Sequence, residues 1–180
     1  MFNKLLKRNS RNENLPSADK YSELSPDEQY RQYGALIQAH LRSGNYAGYR
    51  NDMYASSEIL KKEGKYADQL RNLLVVFYLD LSGFSSVQEA IIICKGSLAP
   101  TPPFIAPSVA KNIKTASTKC QFDNDQVLSF YRSFISESMV PVHLFTLSET
   151  ETILRKLLTD GCDAATKAIP KRKTFKIVRL

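Results

Sequence analysis

The chain has 180 residues with 25 lysines and arginines against 18 acidic residues, a formal charge of +7, and is 43% hydrophobic and 10% aromatic. That length suits one domain or two small ones, and that apolar content excludes disorder of the whole chain. Seven scattered glycines and a dominant helical periodicity disfavour an all-β sandwich.

The surplus charge sits at the ends. Residues 1–22 hold five bases and two acids, residues 164–180 six bases and no acid, and the stretch between them 14 bases and 16 acids. The basic balance therefore describes two tails, and argues against a nucleic-acid binder that uses its whole surface. The cysteines, Cys94, Cys120 and Cys162, are odd in number and form no C-x-x-C pair, so neither a disulfide framework nor a zinc finger is expected. The first residues carry bases without an apolar signal core. The longest apolar run, Leu73 to Leu79, has seven residues, against the about 20 that span a bilayer. The expectation is a soluble cytoplasmic protein without a membrane span.

Residues 1–22 read as a flexible basic arm, in which Phe2, Leu5 and Leu6 can form one apolar turn that docks on the body or touches a membrane; a single turn holds a membrane weakly, which favours docking or disorder. The first helix is announced by Ser25-Pro26-Asp27-Glu28, a capping box with proline at the first helical position. Tyr30, Tyr33, Ile37 and Leu41 then recur as one apolar stripe until Ser43-Gly44 stops it. A second helix is expected from about Tyr46 to Lys62, with Tyr46, Tyr49, Met53 and Leu60 on one face and Gly64 beyond its end. A third spans about Tyr66 to Leu81. Its stripe of Tyr66, Leu70, Leu73, Phe77 and Leu81 is widened by Leu74 and Tyr78, so this helix should lie centrally, flanked on both sides.

Ser86-Val87-Gln88-Glu89 repeats the capping pattern ahead of Ile91, Ile92 and Ile93, which suit a fourth helix or a short buried strand. Residues 98–107, LAPTPPFIAP, hold four prolines and cannot continue a helix. They read as a connector that also lies across the body through Phe104 and Ile105. Ser108 to about Ser117 is the next helix. Gln126 to Ser138 follows, with Val127, Phe130, Tyr131, Phe134 and Ile135 inward, and Pro141 as its stop. Val142 to Leu147 is a short extended piece. Ser148-Glu149-Thr150-Glu151 is read as a third capping box, opening a helix that buries Ile153, Leu154, Leu157 and Leu158 and closes at Gly161. The last residues, KRKTFKIVRL, suit a terminal strand or an unfolded arm.

Gly44-Asn45-Tyr46-Ala47 and Gly64-Lys65-Tyr66-Ala67 are two G-x-Y-A starts 20 residues apart. The glycine ends one helix, the tyrosine anchors the next against it, and the alanine permits close approach. With Ser57, Leu60, Gly64 and Tyr66, the stretch 50–82 resembles tetratricopeptide-type helical hairpins. It departs from them at Gln69 and Val76, where alanines are usual, and lacks the closing proline. The spacing from Gly34 to Gly44 is also three residues too long for a preceding unit. The resemblance implies α-hairpin packing and, by analogy, a protein-binding role; a plain helical bundle accounts for the same residues.

Chemistry-bearing residues are sparse. His40 and His143 are the only histidines. His40 has no acid or cysteine at i+3 or i+4, and both histidines read as packed or surface residues. Asp123 and Asp125 lack the glycine and the final glutamate of a calcium loop and read as helix caps. Glu149 and Glu151 belong to a helix start. Phosphate-cradling glycine motifs and a G-x-S-x-G elbow are absent. No catalytic residue, metal-ligand set or cofactor is assigned. The best charged candidate is the C-terminal run Lys171, Arg172, Lys173, Lys176 and Arg179 with Phe175 interleaved, which can track phosphates while the ring stacks on a base; a solvated tail, or contact with an acidic partner or with acidic helix faces of the body, accounts for the same residues.

The sequence thus predicts an all-α or nearly all-α protein. Its parts are a basic arm (1–22), an antiparallel helical bundle (23–97), a proline-rich connector (98–107), a smaller helical part (108–163) and a basic tail (164–180). The expected role is non-enzymatic: an interaction or adaptor protein whose groove between helices receives a segment of a protein partner. Nucleic-acid binding through the tail is the alternative.

Overall fold

A computed structural model describes residues 21–82, 105–136, 142–143, 145–171 and 176–177. The arm residues Phe2, Leu5 and Leu6, the segment from Ser86 through Cys94, and residues 98–104 lie outside the described residues. The protein is an all-α helical bundle. Among the described residues its helices are α1 (Pro26–Ser43), α2 (Tyr46–Lys62), α3 (Tyr66–Leu81), α4 (Pro107–Lys119), α5 (Asn124–Phe134), α6 (Leu147–Asp160) and α7 (Cys162–Ala168). A two-residue antiparallel pair, β1 (Val142–His143) with β2 (Lys176–Ile177), matches Val142 to Ile177 and His143 to Lys176. No helix among the described residues is long and apolar enough to cross a membrane.

The first three helices run up, down and up, because each connection is a tight turn built around one left-handed residue. At Gly44 (φ 69°) the Asn45 N–H reaches back to the His40 carbonyl at 2.9 Å; at Gly64 (φ 72°) the Lys65 N–H reaches Leu60 at 2.9 Å. Both close the last helical turn in the same 6→1 manner. The same closure joins α4 to α5, where the Phe122 N–H reaches the Ser117 carbonyl at 3.0 Å, but there the left-handed residue is Gln121 (φ 58°). A side chain at positive φ costs about 1–2 kcal/mol. Gln121→Gly is therefore expected to raise stability by about 1 kcal/mol, read as a higher urea midpoint at unchanged slope. An unchanged or lower midpoint would mean that Gln121 makes up the strain elsewhere.

As its stripe predicts, α3 is the central helix. Every residue from Gln69 to Leu81 except Arg71 is buried. It packs on α2, on α4 and on α5. One contiguous core runs from Ala47 through α3 to Val109, Ile113, Val127, Tyr131, Leu154 and Ala165. Ile105, at the end of the proline-rich stretch, is buried in it.

Polar contacts fix the register between helices. Arg50 of α2 grips Asp80 of α3 through two hydrogen bonds, Nε to Oδ1 at 2.8 Å and Nη2 to Oδ2 at 2.9 Å. Asn112 of α4 donates to Glu58 of α2 at 2.9 Å. Arg132 of α5 pairs with Glu151 of α6, Nε to Oε2 at 2.7 Å and Nη2 to Oε1, and Arg155 with Asp125 at 3.0 Å. The hydroxyls of Tyr131 and Thr150 lie 2.7 Å apart. Thr150 already donates to the Leu147 carbonyl, so the tyrosine is the donor.

Several sequence expectations need correction. The fifth helix ends at Phe134 rather than Ser138: Ile135 turns extended (ψ 131°) and buries its side chain in the core, well before Pro141. The fourth begins at Pro107, not Ser108, so this proline opens a helix. The box that opens α6 is Thr146–Glu149, two residues before the expected one, because Thr150 is needed on the inner face against Tyr131. Residues assigned to the start of the basic tail instead form α7, with Ala165 fully buried. In the second G-x-Y-A start, Ala67 is exposed and permits no close approach. The tail's terminal-strand reading holds at Lys176–Ile177, where the backbone pairs.

Candidate binding groove

The stripe of α1 is not fully covered. Tyr33 is buried, its ring edge-on to that of Tyr21 at 5.6 Å, but Ile37 and Leu41 are only half-buried and Tyr30 is 45% exposed. Tyr30, Ile37 and Leu41, with Gly34 and Gln38, form one wall of a groove of about 330 Å³. The groove has α2 as its floor, through Tyr49, Met53 and Ser56, and α3 as its other wall, through Arg71, Asn72 and Val75. Phe134, the last residue of α5, closes one side. This architecture follows from the up-down-up path, since α1 and α3 both lie on α2 and leave a furrow over it.

The groove's lining is about equally polar and apolar. Asn72 donates to the Ser56 hydroxyl at 3.2 Å, which satisfies two buried polar groups at the base. Arg71, exposed, lies over the Phe134 ring at 5.7 Å from its centroid. Among the described residues it is the one formal charge that lines the groove. Burial pushes the Tyr49 hydroxyl above the usual tyrosine range, and the Arg71 charge opposes that shift. Gly34 sits on the rim in mid-helix, and a Cβ added there would meet nothing within 4 Å.

Behind the groove, α1 is clamped to α2 by a contact that the sequence did not reveal. His40 Nδ1 lies 2.7 Å from Asp52 Oδ2, with both side chains largely buried. The two atoms are in close polar contact without the alignment of a good hydrogen bond, and neither has another partner among the described residues. The imidazole lies against the first turn of α2, where Asn45 caps the helix by accepting from the Gly48 N–H at 2.9 Å. A Cβ on Gly48 would stand 2.6 Å from His40 Cε1 and Nδ1. Glycine is thus required for close approach, the task that sequence reading had given to Ala47 alone. Gly48→Ala should displace the ring and cost about 1–2 kcal/mol, despite alanine's better helix propensity. In a His40→Ala background the same change should cost less, the contact of the new Cβ with Asn45 Nδ2 at 2.7 Å remaining; an equal cost in both backgrounds would show that the ring is not what it displaces.

Burial raises the Asp52 carboxyl above its ordinary value, and the facing His40 only partly opposes this. The folded chain therefore retains a proton that the unfolded chain releases. Stability from this group is full below the ordinary value of 3.8 and declines as pH rises through the raised folded value. Asp52→Asn is expected to remove that decline. The difference in unfolding free energy between variant and wild type should shift in the variant's favour as pH rises above the ordinary value of 3.8, measured by urea titration at each pH. Parallel curves would contradict it.

The remaining expected residues are dispersed. Asp123 caps α5 in a reciprocal box with Gln126, as expected of it. Burial raises the thiol of Cys120, away from a reactive thiolate, and the Cys162 thiol points at the Ile105 carbonyl at 3.8 Å. Among the described residues no three His, Cys, Asp or Glu side chains converge as a metal site would require. Of the basic run, Lys171 is exposed and Lys176 belongs to β2; Arg172, Lys173, Phe175 and Arg179, and the side chains of Lys176 and His143, lie outside the described residues. Lys171, whose side chain is described, does not line the groove. No protein-family model matches this chain, and no curated protein and no solved structure matches it either.

Proposed function

We propose that this protein is a non-enzymatic helical interaction protein that receives a segment of a protein partner in the groove between α1 and α3. The observation that carries this reading is the half-open apolar stripe of α1. Tyr30, Ile37 and Leu41 expose apolar surface into a furrow already shaped by two other helices. Concave, mostly apolar sites with a few placed polar groups are where chains bind ligands, and exposed aromatics are typical anchors. The resemblance of residues 50–82 to tetratricopeptide-type hairpins supports the reading by analogy.

The test is capture from native lysate, with and without nuclease, using the intact chain and an Ile37→Asp variant. A nuclease-resistant partner lost in the variant is expected, with the variant's melting curve showing an intact fold. Capture that vanishes with nuclease and high salt, and persists in the variant, would instead favour nucleic-acid binding through the basic tail.

A further inference from the structure

The groove's chemistry narrows what it can hold. Among the described residues its walls and floor are apolar or neutral apart from one cation, Arg71, and no described carboxylate lines it. Arg71 is exposed and set against an aromatic face, with its guanidinium at the mouth. Arginine in such a position is suited to bidentate recognition of a carboxylate. Gly34 adds a second constraint. A glycine in an exposed helix interior is unfavourable relative to alanine, and no described neighbour demands it, since the space over it is empty. A bare stretch of helix on the rim lets another backbone come close. The volume, about 330 Å³, admits a few side chains rather than a whole helix.

We infer that the occupant is a short acidic–apolar peptide segment of a partner protein. Its large apolar side chain lies between Tyr30, Ile37 and Met53, its backbone crosses α1 at Gly34, and an Asp or Glu side chain pairs with Arg71. This inference rests on the groove being the binding site, and it adds the chemistry of the ligand. The pairing is electrostatic, so it contributes specificity and salt dependence as well as affinity.

The experiment is selection of random phage-displayed peptides on the full 180-residue chain, followed by binding measurements with the selected peptides made synthetically and labelled with fluorescein. The expected peptides carry a large apolar residue within a few positions of Asp or Glu. Their affinity should fall at least about tenfold with Arg71→Glu, and should recover when the peptide's acid is replaced by lysine. Gly34→Phe should abolish binding while the melting temperature stays at or above that of the wild type. If selected peptides need the open groove but show no acid preference, or are indifferent to Arg71→Glu, the carboxylate inference fails while groove binding stands. If no peptide binds, or binding survives Gly34→Phe, the groove reading fails as well. If peptides bind only after residues 1–20 are removed, the occupant is this chain's own arm, and the inference is overturned.

Discussion

Replacing Asp80 with alanine is expected to destabilise the protein by about 3–5 kcal/mol, the cost of leaving a buried charge without its counter-ion. Asp80 is buried at 1% side-chain exposure and Arg50 at 15%, so water can replace little of what the substitution removes. The guanidinium presents Nε and Nη2 to the two carboxylate oxygens in parallel and also lies over the Tyr54 ring at 5.6 Å. In the variant, rotation of Arg50 toward solvent would also forfeit the ring contact. A paired replacement separates the two effects: Arg50→Met with Asp80→Leu should regain most of the loss, because a buried ion pair is worth little relative to well-packed apolar residues. Urea unfolding followed by far-ultraviolet circular dichroism measures both variants. A loss under about 1 kcal/mol for Asp80→Ala would show that the pair is solvated rather than buried.

Phe77→Ala should cost a similar amount, about 3–5 kcal/mol, for a different reason. The Phe77 side chain is fully buried, and its ring meets that of Tyr131 edge-on at 6.4 Å. Tyr131 in turn donates to Thr150, so the cavity left by the phenyl group opens between α3 and the α5–α6 pair. Because one core joins α2 and α3 to the later helices, the variant is expected to melt as a single transition at lower temperature. The chain has nine tyrosines and no tryptophan, so near-ultraviolet tyrosine dichroism is the tertiary probe to set against far-ultraviolet helix signal. Separated midpoints for the two signals would mean that the halves fold independently, and would undo the view of α3 as the shared spine.

The helices themselves were legible because local signals and burial agreed. For α2 and α3 the expected limits match the observed ones, since a left-handed glycine punctuates each and nearly the whole surface of α3 is apolar. Where two local signals competed, the sequence could not decide. Thr146-x-x-Glu149 and Ser148-x-x-Glu151 are both valid capping boxes, and only the place of Thr150 opposite Tyr131 selects the first. The early end of α5 is similar: no local breaker precedes Pro141, and Ile135 leaves the helix because the core takes its side chain in an extended conformation.

The groove and its clamps depended on distance along the chain. A search for partners of His40 within its own helix could not find Asp52, which arrives from the opposing helix after the Gly44 turn sets their register. Arg50 and Asp80 are thirty residues apart, and nothing periodic links them. The α1 stripe was plain as a pattern, yet how much of it stays open is set by where α3 and Phe134 come to rest. By itself, then, the sequence determined the helices, most of their caps and the centrality of α3, because these follow from periodicity, glycine geometry and apolar surface within a single segment. Only the tertiary structure decided which charges meet, which glycine permits close packing and which apolar side chains remain accessible, because each of those depends on the separation between surfaces that the chain joins only through its turns.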